Sequence, residues 1–408
     1  MDALDFFPYS FRFDQEKVLD KIYLLAQQGA TIFFHAPTGY GKTIVVLSAL
    51  LPLALEWDVP IIWAVRTGNE TDRPVEELKI ISTHVGENIY GMSIRGKRDM
   101  CLLAREKGIL DSEGVSVLCE KMKKKCRYFE NLAFFEKTFS TPKTFSELLE
   151  FAKKNKICPY YYQLRSASRA RVVAASYNYV FSSRFRWALR SYVDFRDAIL
   201  VVDEAHNLQT VMASVNSDKI TIGTVDRAIN EMRMFRTKRA QELIDKIENL
   251  RRILIKEGED IIGEDDVFDP VEILSRANII REDFDIAWRF VSKIYTRKIA
   301  EGKSPRSSLR HLFSFFDTAL RSRKYRGVAF LKYKEKNQYA FEVWDMRAAE
   351  ALRKVWRIFS VRLLMSGTLK PFEAFAEISG IRKYRAITGS FPVPRENILA
   401  LVLSGLTT

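Results

Sequence analysis

An α/β protein with a parallel, doubly wound sheet is the fold class predicted for this 408-residue chain, and three observations predict it. The first is Ala36-Pro37-Thr38-Gly39-Tyr40-Gly41-Lys42-Thr43, set between the apolar run Thr31 to Phe34 and a helix-compatible run from Ile44 to Leu55. The second is the alternation of short apolar runs with helical spacing that continues to Ile94. The third is the apolar run Ala198 to Val202, which leads straight into Asp203-Glu204-Ala205-His206. In an open α/β sheet, ligands gather at the carboxyl ends of the strands, where both motifs fall.

The first motif reads as a phosphate-binding loop. Gly39 and Gly41 let the backbone curl so that its N–H groups and the helix N-terminus converge on phosphate oxygens. Lys42 neutralises phosphate charge and Thr43 offers a hydroxyl to Mg²⁺. Ahead of it, Phe7-Pro8-Tyr9, Arg12 and Gln15 precede a helical run from Glu16 to Ala26. An aromatic ring and a Gln placed there can read adenine, so Gln15 is a candidate nucleotide contact. Asp203 is the candidate Mg²⁺ carboxylate, commonly through water, and Glu204 the group that polarises the attacking water.

Length implies about two to four structural units. A formal charge of +14 points to a polyanionic partner, nucleic acid ahead of a membrane surface. The apolar run from Ile44 to Leu55 contains Pro52 and is too short for a bilayer span, and Met1 to Asp5 has no basic leader. The expectation is a soluble, intracellular protein, cytoplasmic, or nuclear in a eukaryote.

Next in order, Pro60 to Val65 reads as a strand whose tip, Arg66-Thr67, is suited to a nucleic-acid phosphate. A helix from Asp72 to Thr83 and a strand near Asn88 to Ile94 follow. Between Arg95 and Arg165 the spacing is helical, and sixteen Lys/Arg stand against nine Asp/Glu, half of the chain's excess charge. All four cysteines, Cys101, Cys119, Cys126 and Cys158, fall inside this stretch, spaced C-x17-C-x6-C-x31-C and ending in Cys-Pro. Wide, all-thiolate spacing without a short Cys knuckle fits a [4Fe–4S] cluster better than zinc. Lys121, Lys123 to Lys125 and Arg127, interleaved with Tyr128, Phe129 and Tyr160 to Tyr162, suit a surface that grips a single strand.

The strand Arg171 to Ser176, tipped by Tyr177-Asn178-Tyr179, resumes the sheet. From Asn207 to about Arg326 the chain reads as helical without strands, and its acids at 257–260 and 264–266 read as solvated loops. Gly327 to Tyr333 with Tyr339 to Trp344 is an expected hairpin. Arg362 to Met365 is an expected core strand, ending in Ser366-Gly367-Thr368-Leu369, a hydroxyl tip able to sense a γ-phosphate.

With these residues in place, the sequence resembles the XPD family of iron–sulfur DNA helicases, related to DinG-type enzymes in superfamily two. The resemblance rests on A-P-T-G-Y-G-K-T, Arg66-Thr67, Gly96-Lys97-Arg98 leading into Cys101, the four cysteines, Tyr177-Asn178-Tyr179, D-E-A-H at 203–206 and S-G-T-L at 366–369. It implies a RecA-like motor domain in three parts (1–94, 171–208 and 346–408), an iron–sulfur domain at 95–170 and a mainly helical arch at 209–345. It further implies an ATP-dependent helicase that moves 5′→3′ on single-stranded DNA in repair, acting at single-strand/duplex junctions as a monomer with repair-complex partners. By the same analogy His206 couples the ATP site to neighbouring motifs, and Lys97 and Arg98 join Arg66 and Thr67 in contacting DNA. No Q-x-x-G-R-x-x-R occurs. The chain is therefore expected to be an amino-terminal portion, without the second motor domain, that binds ATP but turns it over slowly. The competing reading is an iron–sulfur single-strand-binding module with a vestigial nucleotide site.

Overall fold

The computed structural model describes residues 2–391, and residues 392–408, the end of the expected third motor stretch, lie outside them. Seven strands form one sheet: β1 (Thr31–His35), β2 (Ile61–Val65), β3 (Gly91–Ser93), β4 (Val172–Ser176), β5 (Ile199–Val202), and, far along the chain, β10 (Val361–Ser366) and β11 (Arg385–Thr388). Their order is β11-β1-β10-β5-β2-β4-β3 and every pairing is parallel. Inner strands buried on both faces read as continuous apolar runs, as Ile-Ile-Trp-Ala-Val and Ile-Leu-Val-Val do.

Two cores flank the sheet. Ile32 and Phe34 of β1 pack on one face with helices Gln15–Gln27, Lys42–Glu56 and Asp72–Val85. Phe33 points to the other, where the cysteine-bearing insert and helices Leu208–Asn216, Ala348–Trp356 and Phe372–Ser379 lie. This alternation is the two-residue period of a strand. Pro52 is accommodated inside the helix behind the phosphate loop.

A second sheet has the order β6-β9-β8-β7 and is antiparallel throughout: β6 (Asp218–Thr221), β7 (Asp265–Val267), β8 (Val328–Glu335) and β9 (Gln338–Asp345). The expected hairpin is β8–β9, closed by Lys336-Asn337 with positive φ at both residues, the geometry that suits a two-residue turn. The reading of 207–326 as free of strands is corrected by β6 and β7. With four and three residues, neither is long enough to leave an alternating pattern. The reading of 257–260 as a solvated loop is also corrected. Glu257 lies in helix Lys238–Glu259, where it accepts from Lys332 at 2.9 Å and pairs with Arg276. Strand β11, short and largely exposed, and the one-turn helix Tyr177–Phe181 after β4 had no counterpart in the sequence reading.

The insert and the second unit touch. Val117 enters the core of the helical unit, Tyr295 donates to Glu113 at 2.9 Å, and Lys121 reaches Ser292 at 2.9 Å. Among the described residues, no helix is long and apolar enough to cross a membrane.

Gly258 sits where helix Lys238–Glu259 presses on the Tyr339 ring, and an added Cβ would fall 2.2 Å from it. Alanine gains about 1 kcal/mol of helix propensity, whereas overpacking costs about 1–3 kcal/mol. Gly258→Ala should therefore lower the midpoint of urea unfolding. A midpoint equal to or above wild type would show that the ring yields freely.

Candidate nucleotide site and cysteine cluster

The phosphate loop leaves β1 at His35 and enters helix Lys42–Glu56 through Gly41, whose φ of 87° belongs to the left-handed region, as does the 84° of Gly39. Non-glycine residues are strained there, so the curl depends on these two positions. Lys42 folds back on the loop, donating to the carbonyls of Ala36 at 3.1 Å and Pro37 at 3.3 Å. An ammonium held only by neutral carbonyls is ready to exchange them for phosphate oxygens.

Gln15 is buried, and both ends of its amide hold protein. Oε1 accepts the Arg12 N–H at 2.8 Å and Nε2 donates to the Tyr40 carbonyl at 2.7 Å. It supports the loop from beneath. Tyr40, fully buried, donates to Asp14 at 2.9 Å, and Asp14 also accepts the Ser390 N–H. The link from Tyr40 through Asp14 to Ser390 could not be read from sequence spacing, since its ends lie at opposite ends of the chain.

Across the sheet, the Asp203 N–H donates to Ala64 and the Glu204 N–H donates to Asp203 Oδ1 at 2.9 Å. Burial and the adjacent Glu204 charge raise the Asp203 carboxyl to about 6. The two neighbouring carboxylates present a hard-oxygen donor set that suits Mg²⁺, which takes few protein ligands and keeps the rest for phosphate and water.

Ser366 joins the two halves. Its carbonyl accepts the Ala36 N–H at 3.2 Å, and its hydroxyl donates to Glu204 Oε2 at 3.1 Å. His206 Nδ1 is 2.6 Å from the same hydroxyl and 3.2 Å from Glu204 Oε2, while Nε2 is 2.9 Å from the Asn207 amide nitrogen. An amide nitrogen only donates, so Nε2 accepts and Nδ1 carries the proton toward Ser366. Thr368 closes the turn by donating its N–H to the Ser366 hydroxyl at 3.2 Å. Tyr177 donates to the Asp203 carbonyl from below. Asn207 and Tyr177 had no assigned role in the sequence reading, although Asn207 directly follows the D-E-A-H run and Tyr177 opens a motif already singled out.

Arg66 and Thr67 are exposed at the end of β2, where the Thr67 N–H donates to Glu70 at 3.1 Å. Lys97 and Arg98 start a one-turn helix after β3. Lys97 lies 5.3 Å from the Tyr160 ring centre, and Arg98 is exposed. Lys123 sits over Phe129 and Tyr161 at 4.5 and 4.2 Å. These cations lie over the faces of partly buried rings, so Tyr161 and Phe129 belong to the insert's packing as much as to its surface.

Three of the four cysteines, Cys101, Cys126 and Cys158, occupy the residue just before a helix, each with φ between −71° and −89° and ψ between 107° and 112°. Cys119 lies within helix Ser112–Met122. Backbone N–H groups of Leu103 and Ala104 reach the Cys101 sulfur, and that of Tyr161 reaches Cys158. Burial pushes the Cys158 thiol up to about 12, and the other three thiols add to the effect through their charges. Among the described residues, no group of three or more His, Cys, Asp or Glu side chains is gathered so as to hold a metal ion. The four thiols nonetheless lie within electrostatic reach of one another, with repeated backbone geometry and N–H groups aimed at sulfur. That donor set fits a multi-atom, all-thiolate cluster, whose ligands spread more widely than those of a single ion.

The raised Asp203 carboxyl makes the folded protein less stable once Asp203 ionises. Its contribution is fully present below the unfolded pKa near 3.8 and is lost as pH rises through about 6. In metal-free protein, Asp203→Asn should therefore be about 1–3 kcal/mol more stable than wild type at pH 8 and no more stable at pH 4. Thermal unfolding across that range measures it, and a gain that does not change with pH would contradict this account.

Residues 63–225 match the DEAD_2 family model. The chain is 26% identical over 374 residues to the ATP-dependent DNA helicase XPD of Sulfolobus acidocaldarius, which covers 90% of this chain and 60% of that protein. It is 25% identical over 353 residues to the general transcription and DNA repair factor IIH helicase subunit XPD/RAD3 of Saccharomyces cerevisiae, covering 74% and 44%. A solved XPD helicase superposes with a TM-score of 0.67 at 24% identity, over 93% of this chain and 62% of that one, which establishes the shared fold. The chain thus spans less than two thirds of the length of these relatives. The family-model match begins in β2 and runs through the cysteines and the D-E-A-H run, and similarity to XPD-type helicases continues over most of the remaining sequence.

Proposed function

We propose that this chain is the nucleotide-binding part of an ATP-dependent DNA helicase of the XPD type, holding a [4Fe–4S] cluster at Cys101, Cys119, Cys126 and Cys158. The observation that carries the reading is the Ser366 hydroxyl, which ties the strand beside the phosphate loop to Glu204 and His206. An ordinary glycine turn has no reason to be wired, through β10, to a carboxylate pair two strands along the sheet.

In this reading ATP lies along Ala36–Thr43, and Lys42 leaves the Ala36 and Pro37 carbonyls for the phosphates. Gln15 keeps the loop in shape from below while its remaining amide valences face the base. Thr43 and Asp203 would hold Mg²⁺, which supplies charge neutralisation between the phosphate oxygens. Glu204 orients the attacking water, and Ser366 and His206 fix the Glu204 side chain and report its state to the S-G-T turn. Arg66, Thr67, Lys97 and Arg98 lie along the carboxyl edge or next to it, where a single strand would be held by its phosphates and stacked on the insert's exposed rings.

The cluster serves as a clip in this account: short helices meet at the cysteines and have little core of their own. The 5′→3′ polarity and the junction substrate rest on the family resemblance. The yeast relative's name makes it a subunit of a transcription and repair factor, which supports an intracellular repair-complex setting for this chain as well.

Lys42→Ala should weaken Mg·ATP binding at least tenfold in calorimetry, the loss of a charge-assisted contact, while Glu204→Gln stays within about threefold of wild type. Equal affinity in wild type and Lys42→Ala would support the vestigial-site alternative instead. The purified chain should carry about four iron and four sulfide with visible charge-transfer absorbance, and Cys126→Ser should lose both. Zinc in place of iron would overturn the cluster assignment.

A further inference from the structure

The Trp63 indole makes none of the hydrogen bonds that build the candidate site. It lies at the centre of β2, fully buried, and its indole Nε1 is one of the few buried polar atoms among the described residues with no hydrogen-bond partner. Buried N–H groups are nearly always paired, so an unpaired one next to a functional group calls for a partner that arrives later.

Strand register identifies the partner. Trp63 pairs with Val201 across β2 and β5, and Ile61, Trp63 and Val65 share one face with Ile199 and Val201. Asp203 follows Val201 by two residues, so its carboxylate leaves that same face, toward the phosphate-loop helix. The indole N–H is close enough to favour the charged carboxylate without closing a hydrogen bond to it. Asp203 Oδ1 is already committed to the Glu204 N–H, and no hydrogen bond is made by Oδ2 among the described residues.

We infer that Trp63 is a positioning residue for the nucleotide site: its indole N–H closes on the free oxygen of Asp203 when Mg²⁺ and nucleotide draw the carboxylate into place. Outer donors of this kind fix the orientation of a ligating carboxylate and raise metal affinity. The inference rests on the reading of Asp203 as the Mg²⁺ carboxylate. It also explains why a bulky indole with a polar edge occupies a strand whose neighbours are plain aliphatic residues.

The test follows the indole itself. In chain labelled with ¹⁵N at tryptophan, the Trp63 signal is identified by its loss in Trp63→Phe, or in Trp63→Tyr should the first variant not fold. It is expected to move downfield with Mg²⁺ and a non-hydrolysable ATP analogue, and to stay in place with the analogue in EDTA. Trp63→Phe is expected to bind the analogue about tenfold more weakly than wild type in Mg²⁺ and nearly equally in EDTA. If Mg²⁺ tightens wild-type binding while the indole signal stays fixed, Trp63 is only packing and the inference fails. If Mg²⁺ does not affect wild-type binding, the reading of Asp203 fails, and this inference with it.

Discussion

One hydroxyl group holds the candidate site together. Ser366 lies at the end of β10, between the strand that launches the phosphate loop and the strand that ends in the two carboxylates, and it is fully buried. Its side chain touches Glu204 and His206, and its carbonyl anchors Ala36. A shift of either neighbour changes a hydrogen bond to the same oxygen. Ser366 is fully buried while Glu204 and His206 are partly exposed, so this shared oxygen couples the two motifs from the edge of the core.

Much of the parallel-sheet domain was legible in the sequence because its signals are local. A strand that ends in a glycine loop and starts a helix leaves its mark in eight residues, and Asp203-Glu204 after four apolar residues leaves its mark in six. The cysteines were conspicuous through their clustering. Their shared position before a helix was less visible, since it depends on backbone angles that several residue types can adopt. What stayed hidden was non-local or very short. Spacing marks Gln15 as a candidate base contact, but it does not show that the same amide also holds Arg12 and Tyr40. Glu257 looked solvated because its partner, Lys332, is 75 residues away. Strands β6, β7 and β11 are too short for their period to show.

Charge is distributed in a way that separates two tasks. Inside the helical unit, Lys332 and Lys246 are largely buried and matched by Glu257 and Asp283, so these cations serve packing. On the insert, Lys123 and Lys97 lie over aromatic rings instead of beside carboxylates, leaving their charge unneutralised. A positive surface of this type attracts a polyanion over a distance set by ionic strength, and its stem atoms still pack. The +14 excess is therefore not spread evenly in function, even though it is spread along much of the sequence.

The strand order has a consequence for how the chain is made. Strand β1 and strand β5 have no contact with each other except through β10, and β10 follows β5 by more than 150 residues, nearly all of them in the second unit and its hairpin. A chain emerging from the ribosome thus carries the phosphate loop and both carboxylates long before the strand that brings them to one place. Pairings this distant in sequence form late, and until they do the two central edges stand open. The intervening unit, with its own core, can fold first and shorten the effective loop between β5 and β10. The candidate nucleotide site is then completed in one step, when the last central strand is inserted.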